Sequence, residues 1–117
     1  MTEYAEKRMF TRFVCDGGVE VRAEGSRGFW GTLSDICAGG CYVQSFQPMS
    51  KGTQITFLIK AKGMELQGSG AVVAQHPGVG MAVHFTHFSA EEQKKLDLLL
   101  AQLERENSTQ SGAIVTQ

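Results

Sequence analysis

The sequence predicts a mainly β domain, an antiparallel sandwich or barrel, followed by a single helix near the C-terminus. Three observations support this class. Before residue 86, apolar and polar residues alternate in short runs separated by turn residues, and after residue 88 the apolar residues recur at helical spacing. The chain has 117 residues, 42% of them hydrophobic, which is enough for one compact core without metal or disulfide support.

The predicted strands follow one another between turn signals. Glycine, proline or both mark turns at 24–28, 48–52, 61–63 and 76–78. The runs between these turns alternate, as in Val19, Val21 and Ala23, which indicates strands with one buried face. The segment from Asp35 to Gly40 interrupts this alternation and separates two further strands.

The last two predicted strands each have a particular feature. Gly68 and Gly70 are expected to bend or bulge the long strand from Met64 to Gln75. In the final strand, alternation places Gly80, Ala82 and His84 on one face and assigns the other face to Val79, Met81, Val83 and Phe85.

A change of period marks the predicted helix. Ser89 to Glu92 has the pattern of a capping box, and one helical stripe then carries Leu96, Leu99, Leu100 and Leu103. We expect this helix to pack on the β domain. Beyond Glu106 the chain is polar and patternless, so we predict a flexible N-terminal segment at 1–7, one domain at 8–106 and a flexible tail at 107–117.

Charge and hydropathy exclude several classes of protein. A formal net charge of −1 argues against a broad nucleic-acid surface, because tracking phosphates requires many clustered lysines and arginines. No apolar run approaches the roughly 20 residues of a membrane span, and the charged start lacks the apolar core of a signal peptide. Three cysteines cannot all pair within one chain, which favours a reducing compartment. We therefore expect a cytoplasmic protein.

Two short polar clusters together indicate an anion site. Arg8 and Arg12 lie four positions apart, and each guanidinium presents paired donors that fit phosphate oxygens or the acceptor edge of guanine. Asp35 supplies a carboxylate that can accept hydrogen bonds from the donors on the opposite guanine edge. Gly39 and Gly40 permit unusual backbone conformations and let the main chain approach a ligand closely.

These clusters carry a resemblance to a known family. The stretch from Glu6 to about Leu103 resembles a PilZ domain, the bacterial module that binds cyclic di-GMP, whose signatures are Arg-x-x-x-Arg and Asp/Asn-x-Ser-x-x-Gly. The first signature matches fully, and the second departs at Cys37, where the family has serine. Stretches similar to the family's later strands lie at 52–59, 68–74 and 79–85. The resemblance implies a small antiparallel PilZ-like β-barrel with a C-terminal α-helix.

The resemblance also implies a role for the basic cluster. Arg8 and Arg12 would hold phosphate oxygens and guanine acceptors of cyclic di-GMP, and Lys7 would help to hold a stacked pair of ligands. Ligand binding would order the flexible N-terminal segment and so relay the signal to a partner, an unidentified effector protein. We expect the segment through Arg12 to be mobile until an anion bridges the two arginines.

The second cluster has a similar implied role. Asp35, Cys37 and the backbone at Gly39 and Gly40 would surround a guanine edge and the ribose. A thiol is a weaker donor and acceptor than a hydroxyl, so Cys37 is expected to weaken binding by about two- to tenfold without abolishing it. Asp35 can also cap a turn by accepting backbone N–H groups, and both roles are compatible.

Other functions remain as alternatives or are disfavoured. A non-binding PilZ-like adaptor in pilus or motility regulation is the first alternative, and a barrel that binds single-stranded nucleic acid is the second. Cys37 and Cys41 lack the second tight Cys/His pair that a zinc site needs, so neither a metal nor a cofactor is predicted. Cys41 is predicted in the core, and rim or surface positions are predicted for His76, His84 and His87. The chain shows no catalytic constellation and is predicted not to be an enzyme.

Overall fold

The computed structural model describes residues 11–115, with side chains described to residue 107. In this part of the chain six strands precede one helix: β1 Phe13–Ala23, β2 Phe29–Cys37, β3 Gly40–Gln44, β4 Gln54–Ala61, β5 Met64–His76, β6 Gly80–His87 and α1 Ala90–Val115. The neighbouring strands are antiparallel in the order β1-β2-β3-β6-β5-β4, and β4 pairs back with β1 to close a barrel. The predicted β-barrel with a C-terminal helix is confirmed, and closure decides between sandwich and barrel.

The barrel interior is filled by alternate side chains of every strand, as the period of two requires. The largest side chains that are fully buried there include Leu33, Ile36, Ile59, Leu66 and Met81. Each such side chain contributes roughly 1.5–3 kcal/mol relative to an exposed one. The alternation predicted for Val19, Val21 and Ala23 appears as two buried valines and a half-buried alanine.

The helix α1 packs on β5 and β1 through its leucine stripe, in which Leu96, Leu99 and Leu103 are buried. Its N-terminus is capped, because the Ser89 hydroxyl accepts a hydrogen bond from the Glu92 N–H at 3.2 Å. The Glu92 carboxylate accepts the backbone N–H of Gln67 in β5 at 2.8 Å. This bond is the main cause that lowers the pKa of Glu92. The Ser89 half of the predicted capping box is therefore present, while the Glu92 carboxylate ties the helix to the barrel.

The helix covers one particular end of the barrel. At its start, Phe88 contacts Phe57 and Phe85 with ring centroids 5.8 and 5.0 Å apart. Further along the helix, Glu106 forms an ion pair of 3.0 Å with Lys62, in the turn between β4 and β5. Because neighbouring strands are antiparallel, β1 begins and β2 and β6 end at this same end of the barrel. The residues of the second polar cluster lie at this end.

Two sequence-based predictions about the strands need correction. The stretch from Asp35 to Gly40 is mostly strand, because β2 continues to Cys37 and only Ala38 and Gly39 form the turn. The alternation fails there because the pairing of β2 with β3 shifts register between Leu33 and Asp35. Val79 does not share the buried face of the last strand. It precedes β6 and is 58% exposed.

Two further predictions concern glycines and the chain end. The long strand β5 shifts register against β6 between Ser69 and Gly70, so the expected bulge is confirmed there. The helix continues past Glu106 to Val115, although a patternless tail was predicted from residue 107. Extension of a formed helix adds one hydrogen bond per residue without a new nucleation cost. Flexibility at 1–7 and 107–117 stays a prediction.

Candidate ligand site

The structure brings Arg12 of the first polar cluster into direct contact with Asp35 of the second. Arg12 immediately precedes β1, and β1 pairs with β2 so that Val14 lies opposite Asp35. The Arg12 Nη2 donates a hydrogen bond to Asp35 Oδ1 at 2.6 Å, which makes this contact both an ion pair and a charge-assisted hydrogen bond. Antiparallel pairing of two strands thus joins residues that are far apart in the sequence.

Strand alternation determines which face of the barrel carries this site. Ile36 is fully buried in the interior, so its neighbours Asp35 and Cys37 lie on the outer face. The Arg12 Nη1 donates a long hydrogen bond of 3.9 Å to Cys37 Sγ, and Cys37 is only 4% exposed. The guanidinium therefore spans two successive outer-face residues of β2.

The turn after Cys37 is held closely against β6. The Gly39 carbonyl accepts a hydrogen bond from the Phe85 N–H at 2.9 Å. At Gly40 a side chain is excluded by packing, because an added Cβ would overlap the carbonyl oxygen of Val83. Gly39 in the turn and Gly40 at the start of β3 are thus both held against β6 beside the ion pair.

The ion pair leaves binding capacity on both partners. Arg12 is 43% exposed and Asp35 is 31% exposed, so ligand atoms can reach both side chains. A guanidinium has five N–H donors and a carboxylate has two acceptor oxygens, of which the ion pair occupies only a part. The arrangement can therefore donate to an anion or acceptor edge while it accepts from a nearby donor edge.

The cysteines near the site differ in position and chemistry. Cys41 pairs with Ile36 and points into the core, where it is 2% exposed, so the prediction of a core cysteine is confirmed. Burial, followed by the nearby Asp35, raises the pKa of the Cys41 thiol far above its ordinary value. Since Cys37 and Cys41 point to opposite faces of the barrel wall, a disulfide between them would require the strands to rearrange.

Two residues at the site were not predicted from the sequence. Val14 lies opposite Asp35 and is 83% exposed, which places an apolar side chain directly beside the carboxylate. Tyr42 lies opposite Asp35 on the other side, and its hydroxyl shares a hydrogen bond of 2.8 Å with Nδ1 of His76. Burial and then the charge of Asp35 raise the pKa of Tyr42. Only the strand register identifies these two neighbours.

The structure describes only some of the remaining residues that the sequence analysis singled out. Lys7 and Arg8 lie outside the described residues. The three histidines are exposed, in agreement with the rim or surface positions predicted for them: His76, His84 and His87. No three His, Cys, Asp or Glu residues come together as a metal site would require within the described side chains. In residues 11–115, no helix combines the length and apolar character that a membrane span requires.

Comparison with known proteins identifies the family of the fold. The family model described as PilZ domain matches residues 6–102. The PilZ domain of CeSA from a cellulose synthesizing bacterium is 24% identical, with a TM-score of 0.65, and the match covers 80% of this chain and 98% of that one. No curated protein sequence matches the chain.

Two solved structures with bound c-di-GMP are also similar in fold. The PilZ domain of YcgR from Escherichia coli is 12% identical, with a TM-score of 0.71, and the match covers 91% of this chain and 98% of that chain. MrkH from K. pneumonia is 15% identical, with a TM-score of 0.74 and 86% of this chain covered. Only 54% of the MrkH chain is matched, so MrkH extends well beyond the shared domain.

Proposed function

Because the chain belongs to the PilZ domain family, we propose that it is a receptor for cyclic di-GMP and acts by binding, without catalysis. The observation that supports this most directly is the 2.6 Å contact between Arg12 and Asp35, which unites the two family signatures at one place. The c-di-GMP complexes of YcgR and MrkH support the same ligand for this fold.

In this proposal each group has a physical role. The free N–H donors of Arg12 bind a phosphate oxygen or the acceptor edge of guanine, as rigid paired donors do elsewhere. Asp35 accepts from the guanine donors, and the backbone at Gly39 and Gly40 lies against the ligand. Cys37 stands where the family has serine and supplies a weaker hydrogen bond.

By the family resemblance, the basic residues before Arg12 complete the site. Arg8 would add a second guanidinium for the phosphates, and Lys7 would stabilise a stacked pair of ligands. Both increase the positive charge that a dianion requires, because Asp35 already compensates the charge of Arg12.

Calorimetric titration tests the ligand. The full chain is titrated with cyclic di-GMP and, in parallel, with a single-stranded oligonucleotide. We expect saturable binding of cyclic di-GMP and none of the oligonucleotide. Binding of the oligonucleotide alone would support a nucleic-acid barrel, and binding of neither would support the non-binding adaptor.

We further propose that the signal reaches an effector protein through ordering of the segment before Arg12. The contact between Arg12 and Asp35 anchors the C-terminal end of that segment, so a ligand held by Arg8 would draw the preceding residues onto the barrel. Amide exchange with and without cyclic di-GMP measures this ordering, and equal protection near Arg8 in both states would contradict it.

The buried free thiols of the three cysteines support a reducing, cytoplasmic setting: Cys15, Cys37 and Cys41.

A further inference from the structure

The strand register places one histidine in line with the candidate site. A row of paired residues crosses the inner face of the barrel wall and consists of Ile36, Cys41, Val83 and Val72, each at most 3% exposed. The next row of pairs along the strands consists of Cys37, Gly40, His84 and Ala71. Because successive residues alternate in direction, this second row lies on the outer face.

This outer row connects the candidate site with β6. Arg12 contacts Cys37 at one end of the row through the 3.9 Å hydrogen bond. His84 lies two strands from Cys37, which corresponds to roughly 10 Å between their backbones at ordinary strand spacing. Gly40 lies between them and contributes no side chain. A ligand that rests on the turn backbone therefore has Arg12 on one side and His84 on the other.

The imidazole of His84 is available for a ligand. Its side chain is exposed, and among the described side chains of residues 11–107 it forms no hydrogen bond, ion pair or ring contact. His76, by contrast, is engaged by Tyr42 through a hydrogen bond of 2.8 Å. The charge of Arg12 is compensated by Asp35, so a dianionic ligand benefits from any further donor along this face.

We propose that His84 contacts the ligand and donates a ring N–H to a phosphate oxygen of the bound cyclic dinucleotide, on the side of the site opposite Arg12. This assignment rests on the proposed function. It extends the site from the two signature clusters to β6 and makes the residue at position 84 a determinant of affinity. Because the proposed contact is a hydrogen bond to an anion, the charge of the side chain at position 84 determines whether a substitution preserves or lowers the affinity for the ligand.

Titration of full-length variants with cyclic di-GMP tests the assignment. We expect His84→Ala to weaken binding by about three- to tenfold and His84→Glu to weaken it further by repulsion. We expect His84→Arg to retain or strengthen binding, because arginine also donates to phosphate oxygens. His87→Ala is the matched control. It changes an exposed histidine of the same strand that lies outside the outer row, and it is expected to leave the affinity unchanged.

The outcomes separate the two proposals. If wild type binds, Arg12→Ala weakens binding and all His84 variants bind as wild type does, the assignment of His84 is wrong and the receptor function stands. Equal losses in His84→Ala and His87→Ala would also overturn it. If wild type does not bind cyclic di-GMP, both proposals fail together.

Discussion

Removal of Arg12 should separate ligand binding from fold stability. In Arg12→Ala the exposed ion pair with Asp35 is lost, and exposed pairs of this kind contribute only about 0.2–1 kcal/mol to the free energy of unfolding. The same guanidinium is expected to make a charge-assisted hydrogen bond to the ligand that contributes about 1.5–3 kcal/mol. We therefore expect the affinity for cyclic di-GMP to fall by about 10- to 150-fold with little change in stability.

The chain contains a matched control for this substitution. Arg22 lies in β1, the strand that Arg12 immediately precedes, is 67% exposed and forms an ion pair of 2.6 Å with Glu20. Arg22→Ala therefore removes the same charge and the same kind of surface ion pair. We expect its stability to change as little as that of Arg12→Ala, while its affinity stays at the wild-type value.

Calorimetric titration measures the affinity, and urea unfolding measures the stability, of wild type, Arg12→Ala and Arg22→Ala. A third variant, Arg12→Lys, keeps the charge and removes the fork of donors, so we expect an intermediate affinity. Equal affinity in wild type and Arg12→Ala would refute the site. A loss of affinity in Arg22→Ala as large as in Arg12→Ala would show that only overall charge matters.

Three further predictions concern single residues. Cys37→Ser should tighten cyclic di-GMP binding by up to about tenfold in calorimetry, because a hydroxyl bonds better than a thiol. Gly40→Ala should lower the free energy of unfolding in urea by about 1–3 kcal/mol, because the added Cβ overlaps the Val83 carbonyl. Its control, Gly18→Ala, should be tolerated, because the added Cβ meets the Trp30 ring at 3.4 Å, an ordinary contact distance. Glu92→Gln should reduce the free energy of unfolding at neutral pH. The difference in this free energy from wild type should disappear as the pH falls below 4.5, because the lowered pKa of Glu92 means that its carboxylate stabilises the fold only while it is charged.

Each of these predictions has an outcome that contradicts it. Weaker binding by Cys37→Ser would mean that the thiol has a role of its own. Equal stability of Gly40→Ala and Gly18→Ala would show that the start of β3 can move away from β6. A stability difference between Glu92→Gln and wild type that persists in acid would mean that the charge of the carboxylate is not what holds the helix N-terminus.

Local patterns in the sequence predict much of the fold. The alternation of Val19 and Val21 predicts their burial, and the leucine stripe of the helix predicts its packing face, because both depend only on the periods of strand and helix. The ligand role proposed for Asp35 follows from chemistry and family resemblance. The place of Asp35 within β2 could not be predicted in this way, because a register shift after Leu33 breaks the apolar and polar alternation that marks a strand.

The sequence by itself determined the β class and the C-terminal helix and supplied the residue types of the candidate anion site, since periodicity and side-chain chemistry are local properties. Tertiary structure decided that the barrel closes, that Arg12 contacts Asp35, and that Val14, Tyr42 and His84 lie on the same outer face. The physical reason is register. A shift of one residue in pairing moves a side chain to the other face, and register is determined by long-range packing of the whole barrel.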